Sequence, residues 1–244
     1  NTFWTSWESL SNNPSGIVER NSLISDAENL TEAIASYKRN LDARKTDFGV
    51  SIADTVASIN EKVASIRDWN AKILETSGDN GEKNDILDKR MQALKELGAL
   101  INIQPLENED GSISVYLSNG ESLFQGVEAR KLRVETNSDG QSDIYLSGLS
   151  GETVNSALTG GKLGALVELQ STIIPEYIGY IEDFSQTLAD QVNDLHRGGF
   201  DIYNNTGVIV FETSDAVSQV LGGDEKLYTT AARTTAISKN TTWN

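Results

Sequence analysis

The sequence contains few residue types that could do chemistry. It has one histidine, His196, and no cysteine. A catalytic triad or a histidine-rich metal site needs partners that the chain does not supply. The lack of cysteine excludes disulfides, zinc–thiolate sites and thiol nucleophiles. His196 stands with Arg197 before two glycines at the end of a helical pattern. We therefore expect His196 to face the negative end of a helix dipole, which is a structural role.

Three other patterns suggest chemistry but fail on their spacing. Residues 160–164 (Gly-Gly-Lys-Leu-Gly) lack the glycine spacing and the Ser or Thr after Lys of a phosphate-binding loop, so we interpret them as a flexible hinge. The acidic clusters at 108–111 and 79–85 do not match the spacing of an EF-hand loop. Glu182 and Asp183 are adjacent on a predicted helix and point apart. The sequence predicts no catalytic, cofactor-binding or metal-binding residue, and no enzyme.

Tryptophans are the remaining candidates for contact residues. Trp4 and Trp7 stand with Phe3 just before a predicted helix start, and we expect them to pack against neighbouring helices. Trp69 lies beside an apolar seam and is a candidate contact for a neighbouring protein. The sequence does not identify the other residues that contact neighbouring subunits.

Charge and hydropathy exclude several classes of partner. The 244 residues include 36 acidic and 20 basic side chains, a net charge of −16. Such a chain repels nucleic acid and anionic membranes, and it has no basic stripe to offset that repulsion. There is no apolar run long enough for a transmembrane helix and no visible signal peptide. We expect no nucleic acid, membrane or small-molecule substrate as a partner.

The dominant pattern is one long amphipathic helix from Ile17 to Thr76. Asn13 can cap its start, with Pro14 at the first helical position. From residue 52 the apolar spacing alternates four and three, which is a heptad seam that lies against another helix. The seam residues are Ile52, Val56, Ile59, Val63, Ile66 and Ile73, and the apolar positions before them are Ile17, Ile24, Ala27, Leu30, Ile34, Tyr37 and Leu41. The phase slips near Gly49, where we expect a kink or a stutter.

A second helix is predicted from Asn84, its cap, to about Leu97. The short turn at 77–81 before it favours antiparallel packing against the second half of the long helix. Its apolar face comprises Ile86, Leu87, Met91, Leu94 and Leu97.

Residues 101–159 follow the two-residue period of strands. Apolar residues alternate with polar ones at Ile101, Ile103, Ile113, Val115 and Leu117, and further short strands are predicted at 123–125, 131–135 and 143–146. Turns at 107–111, 119–120 and 137–140 end in glycine and favour antiparallel connections. This segment is predicted to be a small antiparallel β unit.

A third helix is predicted from Leu163 to Leu195, with a possible kink at Pro175. It carries six acidic residues and no Lys or Arg, whereas the long helix is rich in both cations. We expect the two helices to lie side by side with flanking ion pairs, which select the pairing more than they stabilise it. A solvated acidic face is the alternative. The seam residues are Tyr177, Ile181, Phe184, Leu188, Val192 and Leu195.

The order helix–helix–sheet–helix predicts an α+β fold. We expect an elongated antiparallel helical bundle, made of a long helix, a short helix and a long C-terminal helix, with an inserted small antiparallel β domain. We assign residues 1–100 and 160–205 to a discontinuous helical rod domain and 101–159 to the β domain. Residues 206–244 are predicted to form a short strand and a tail that returns to one of these two domains.

Five segments, in chain order, carry a family resemblance. They are 3–14 (Phe-Trp-x-x-Trp, then Leu-x-Asn-Asn-Pro), 84–90 (Asn-Asp-Ile-Leu-Asp-Lys-Arg), 111–116 with 119–120, 160–166 with Pro175 and Tyr177, and 188–201 (Leu-Ala-x-x-Val-Asn-x-x-His-x-x-Gly-Phe-Asp). These segments resemble the first large helical segment, the short second helix, the first hairpin, the re-entry segment and the helix ending of the flagellar hook-associated protein 1 (FlgK) family. Residues 236–238 resemble a later strand of that family.

The resemblance implies a structural, non-enzymatic protein of the bacterial flagellum that connects hook to filament and is needed for filament assembly. Its implied partners are other copies of itself in a ring, the hook protein and the second hook–filament junction protein. An export chaperone would bind a C-terminal part that is missing here. The implied location is extracellular, after export through the flagellar type III apparatus without a cleaved signal peptide. The family's terminal helical segments are not matched, so we expect a fragment.

Two other functions stay open at this point. One is a sister axial protein, namely the second junction protein or a flagellin, against which the inserted β unit and the segment 84–90 argue. The other is a coiled-coil adhesin or adaptor that binds a ligand through its β unit.

Overall fold

The computed structural model describes residues 2–76, 81–200, 206, 209–214, 226–228 and 234–238. The α-helices of this described part are α1 (Thr2–Asn12), α2 (Ile17–Glu75), α3 (Gly81–Leu100), α4 (Gly161–Glu168) and α5 (Ile174–Arg197). A 3₁₀ helix at Asn155–Ala157 precedes α4, and a π-helix at Leu169–Ile173 joins α4 to α5. None of the described helices combines the length and apolar composition that crossing a membrane requires.

The strands all pair antiparallel. β1 (Gln104–Glu107), β2 (Ile113–Tyr116), β3 (Ser122–Gln125) and β4 (Glu128–Ala129) form one sheet in that order, and β5 (Leu132–Thr136) and β6 (Ser142–Leu146) form a hairpin. β7 (Phe211–Ser214), β8 (Lys226–Tyr228) and β9 (Thr234–Ser238) form a third sheet in the order β7-β9-β8. The predicted fold class, an α+β helical bundle with an inserted antiparallel β region, is confirmed.

The chain divides into two compact units. The first comprises Asn1–Asp42 with Glu176–Asn244, and the second comprises Ala43–Pro175. The domain boundaries expected from the sequence stay a prediction, and each unit is described by itself below.

The core of the first unit gathers residues from α1, α2, α5 and the start of β7. Its buried members are Phe3, Leu23, Ala27, Ala189, Val192, Val210 and Phe211. The ring of Phe3 lies 5.7 Å from that of Trp7 and 5.9 Å from that of Phe211. The predicted packing role is therefore confirmed for Phe3 and Trp7. It is wrong for Trp4, which contacts the edge of Phe3 but is 57% exposed.

Pro14 does not begin the long helix, contrary to the prediction. The preceding residues form a separate helix, α1, and Pro14 lies in a turn closed by a 3.0 Å hydrogen bond from Gly16 N–H to Asn13 O. Helix α2 therefore begins at Ile17. The apolar positions predicted for this part of α2 are also partly wrong, because Ile17 is 72% exposed and Tyr37 is 68% exposed. The buried residues here are Arg20, Leu23, Ala27, Thr31 and Ala35.

Helices α2 and α5 pack against each other within the first unit. Their shared core is flanked by an ion pair between Lys38 and Glu182, whose N and O atoms are 3.0 Å apart. The prediction that these two helices lie side by side is thus confirmed. Among the described ion pairs of α2, only the one between Lys38 and Glu182 joins it to α5 as predicted. Nearby cations pair along their own helix, Arg39 with Glu32 and Arg44 with Asp47.

The core of the second unit is built on the heptad seam of α2. All six predicted seam residues from Ile52 to Ile73 are at most 4% exposed. The first five of them, from Ile52 to Ile66, pack with Ala93, Leu94 and Leu97 of α3 and with the inward side chains of the strands. The predicted packing of the second helix against the second half of α2 is confirmed.

The bounds of α3 correct two predictions. The helix begins at Gly81, so Asn84 lies inside its first turn and does not cap it. It also continues to Leu100, and the N–H of Ile101 still donates to Leu97 O at 3.0 Å. The first strand therefore starts at Gln104. The prediction that Ile101 and Ile103 belong to a strand is wrong. Residues 77–80 of the predicted turn lie outside the described residues.

Candidate assembly surfaces

A buried polar cluster joins α2 and α3 to the four-stranded sheet. Asn70 of α2 is fully buried, and its Nδ2 donates to Ile113 O at 2.7 Å and to Gly126 O at 2.9 Å. Its Oδ1 accepts from Ile113 N–H and from Arg90 Nη1, both at 3.1 Å. Arg90 Nη1 also donates to Gly111 O at 2.7 Å. These five residues, the Asn70 cluster, fix β2 and the turns beside it on the helices.

Arg90 takes a core position that the sequence assigned to its neighbour. Met91, predicted on the apolar face of α3, is 61% exposed, whereas Arg90 is 2% exposed. Burial lowers the pKa of Arg90, and the Glu107 carboxylate, 3.9 Å from its Nη2, opposes that shift. A guanidinium keeps its charge even so. Carbonyl and amide oxygens of the cluster therefore compensate for the lost water.

Two further asparagines hydrogen-bond to backbone groups in the way that a neighbouring strand would. Asn60 of α2 donates to Leu132 O at 2.9 Å and accepts from Leu132 N–H at 3.0 Å, which holds the start of β5. In the first unit, Asn193 of α5 donates to Phe211 O at 2.6 Å and accepts from the N–H groups of Val210 and Phe211 at 2.9 Å. A carboxamide offers the same donor and acceptor as a peptide group. Each helix thereby binds backbone N–H and C=O groups that a neighbouring strand would otherwise satisfy.

Gln170, in the π-helix, ties β6 to α2. Its Nε2 donates to Lys45 O at 3.1 Å, and its Oε1 accepts from Ser142 N–H at 2.9 Å. A Cβ at Gly49 would lie 2.9 Å from that Nε2. Helix α2 runs without interruption through Gly49. The glycine that suggested a break therefore makes room for an amide from another helix.

The irregularity predicted at Pro175 falls one turn earlier, in the π-helix. Pro175 has no N–H, so the carbonyl of Ser171 loses its usual helical donor. That carbonyl accepts from Gln141 Nε2 at 3.4 Å instead. A side chain from the β5–β6 turn thus compensates for the proline.

The glycines at 160–164 have a steric role. Gly161 has φ of 62°, and a Cβ there would lie 2.7 Å from the backbone of Leu100 and Ile101. A Cβ on Gly164 would lie 2.7 Å from Leu158 O. The start of α4 therefore packs directly on backbone at the end of α3 and on the 3₁₀ segment. This close approach, rather than a phosphate, accounts for the glycines.

A groove on the second unit presents Trp69 between α2 and α3. It encloses about 560 Å³ and is lined by Lys62, Ser65, Trp69, Lys89, Gln92 and Glu96, with Asp88 and Ala93. The ammonium groups of Lys72 and Lys89 lie 4.6 Å and 5.6 Å from the centroid of the indole ring. We call this the Trp69 groove. Its half-buried indole keeps Trp69 a candidate contact residue.

An apolar stripe is exposed on α5 in the first unit. Tyr177, Tyr180, Phe184 and Leu195 are between 56% and 80% exposed, although three of them belong to the predicted inward seam. Val192 of that seam is buried. A hydrogen bond to Glu176 raises the pKa of Tyr180. We call these four residues the α5 stripe; the predicted seam of α5 is therefore only partly buried.

The residues first considered for chemistry make structural contacts. His196 is in the last turn of α5, as predicted, with its ring 6.1 Å from that of Trp7. Glu182 is engaged by Lys38. Asp110 accepts from the backbone N–H and the Oγ of Ser112 at 2.9 and 2.7 Å, which lowers the pKa of its carboxyl. Its function is to close the β1–β2 turn.

The ion pair at the rim of the Trp69 groove predicts a pH dependence. Hydrogen bonds from Lys62 and Gln92 lower the pKa of Glu96 from its ordinary 4.5. The stabilisation is therefore present above that value and is lost as pH falls through the lowered pKa. We expect E96Q to lower the urea midpoint at about pH 7 and to lower it less at about pH 3, which is below the ordinary pKa of 4.5. E61Q, which removes a carboxylate with no described partner, is the control; equal effects of E96Q at both pH values would contradict the assignment.

The family model of the flagellar hook-associated protein FlgK helical domain matches residues 1–211. The chain belongs to the FlgK family. It is 26% identical over 223 residues to flagellar hook-associated protein 1 of Salmonella typhimurium, covering 88% of this chain and 40% of that protein. The Escherichia coli protein of that name is 26% identical over 212 residues, covering 84% and 39%.

A solved FlgK structure shares the fold. The flagellar hook junction protein FlgK from Burkholderia pseudomallei superposes with a TM-score of 0.75 at 23% identity, over 93% of this chain and 42% of that chain. The chain thus spans about two fifths of the FlgK relatives that it matches.

The segments that carry the FlgK resemblance are places where this structure joins its elements. Arg90 ends the segment 84–90, and Gly111 and Ile113 belong to 111–116. Gly161 stands in the re-entry segment and Asn193 in the helix ending. The resemblance therefore follows helix–strand and helix–helix junctions.

Proposed function

We propose that the chain is a structural part of the hook–filament junction of a bacterial flagellum and is needed for filament assembly. The match to the FlgK helical domain over residues 1–211 carries this proposal. The printed names of its relatives, flagellar hook-associated protein 1 and flagellar hook junction protein, support it. On this basis its partners are other copies of the chain, the hook protein, the second junction protein and an export chaperone.

The internal contacts support a mechanical role. Side-chain amides of Asn60, Asn70 and Gln170 attach the strands to α2, so the sheets cannot slide along the helix without breaking hydrogen bonds. Such contacts resist shear better than apolar packing, which is not directional. The proposed location is extracellular, after flagellar type III export, and the cysteine-free sequence fits passage as an unfolded chain.

Deleting the full-length gene tests the proposal. We expect cells that still build hooks, lack attached filaments and release flagellin into the medium. Electron microscopy of the cell surface and immunoblotting of the medium measure these outcomes, and a plasmid copy of the gene should restore filaments. Normal attached filaments on the deletion strain would overturn the proposal.

A further inference from the structure

The Trp69 groove presents two ammonium groups beside an aromatic ring. The ammonium groups of Lys72 and Lys89 both lie over the indole of Trp69, and neither has a described carboxylate partner. Lys62 at the rim is paired with Glu96, and Asp88 is the other acidic lining residue. Two cations beside an aromatic ring in an open groove favour an aromatic and acidic ligand surface.

The α5 stripe has the complementary composition. Its exposed rings include Tyr177, Tyr180 and Phe184, and α5 carries exposed acidic side chains at Glu176, Asp183, Asp190 and Asp194. From Ile174 to Leu195 there is no Lys or Arg. Exposed aromatic residues grouped on one helix face indicate an interaction site, because rings contribute large contact areas.

We propose that the α5 stripe of one copy docks into the Trp69 groove of a second copy. Stripe-to-stripe pairing would bring the carboxylates of two α5 helices together, and groove-to-groove pairing would oppose two pairs of ammonium groups. Both arrangements place like charges in contact, which costs free energy. Stripe-to-groove pairing joins two different surfaces, so it is heterologous and propagates from copy to copy, as a ring requires. This docking proposal rests on the proposed function only because it takes the neighbouring molecule to be an identical copy.

The absence of cysteine allows a direct cross-linking test on purified chains. One chain carries S65C in the groove and another carries T187C, which is exposed beside the stripe. We expect oxidation of the mixture to give about ten times more heterodimer than a mixture of T187C with S138C, which is exposed in the β5–β6 turn beside Lys45 and does not line the groove. Equal yields from the two mixtures would overturn the proposal.

Charge reversal separates docking from misfolding. Adding K72E and K89E to the S65C chain should abolish the cross-link, and adding E176K and D183K to the T187C chain should restore it. Reversal of either side alone that leaves the yield unchanged would contradict the proposal, as would a failure of the paired reversals to restore it.

The assembled flagellum gives the final test. Full-length protein carrying both S65C and T187C should form a ladder of cross-linked multimers of itself in sheared flagella, whereas each single variant should form none. Attached filaments without a ladder would overturn the docking but leave the proposed function intact. Cross-linked bands in which mass spectrometry finds the hook protein or another flagellar protein would assign the groove to that protein and overturn the proposal.

Discussion

Replacement of Asn70 by alanine is expected to lower the free energy of unfolding of the second unit by about 3–5 kcal/mol. The side chain makes four hydrogen bonds and is fully buried, so water cannot replace them. The change leaves the N–H and C=O of Ile113 and the carbonyl of Gly126 without a partner. It also removes one of the oxygens that compensate for the buried charge of Arg90, which adds to the cost.

Asn60→Ala is the matched control, because it removes the same group from the same helix. Asn60 is half-buried and bonds only Leu132, so we expect a loss of about 1–2 kcal/mol. Hydrogen exchange at the Ile113 amide and urea unfolding monitored by circular dichroism measure both variants. Equal losses for Asn60→Ala and Asn70→Ala would show that the Asn70 cluster adds nothing beyond a single strand contact.

Gly161→Ala is expected to destabilise the second unit by about 2–4 kcal/mol. The positive φ of this residue strains any side chain, and its Cβ would overlap the backbone of Leu100 and Ile101, which cannot move aside as a flexible side chain would. Relief of the overlap would have to separate α4 from the end of α3. Thermal unfolding followed by circular dichroism measures the change.

Gly98→Ala, in the same unit, has the opposite expected sign. Gly98 lies inside α3 and a Cβ there meets nothing within 4 Å, so alanine should stabilise the helix by about 0.5–1 kcal/mol. Similar shifts of the two variants in the same direction would refute the steric role that we assign to Gly161.

Periodicity predicted the elements of the second unit well. The heptad from Ile52 to Ile73 is buried along its whole length, because a four–three alternation of β-branched residues leaves one arrangement that shields all of them. The turns at 108–111, 119–120 and 137–140 also lie where their glycines predicted them, with φ near 80° at Gly111 and Gly120. Local backbone preferences decide these features.

The polar contacts could not be predicted in the same way. Asn70 stands four residues after Ile66 and three before Ile73, so it occupies a seam position, and that was the available signal. Its partners are strand backbone groups, which carry no mark in the sequence. Arg90 likewise takes the place of an apolar residue because Gly111 O and Asn70 Oδ1 lie within reach.

The first unit departed further from prediction. Its helices meet through Ala27 and Ala189, and small residues give a weak apolar signal, while the larger Ile17 and Tyr37 point outward. On α5, the exposed residues Tyr177, Phe184 and Leu195 show the same heptad spacing as the buried Val192. A single sequence cannot tell whether such a face is covered by its own chain or by another.

In the asparagine contacts, the helix position and the strand position differ in how many substitutions they tolerate. The strand partner contributes only its backbone, so any residue other than proline at Leu132 or Ile113 still offers the same N–H and C=O to the helix. At Asn60 and Asn70 no other side chain presents that pair of groups at that length. Over evolutionary time the helix positions are constrained in identity and the strand positions only in hydrophobicity, so the β surface can diversify while its attachment stays the same.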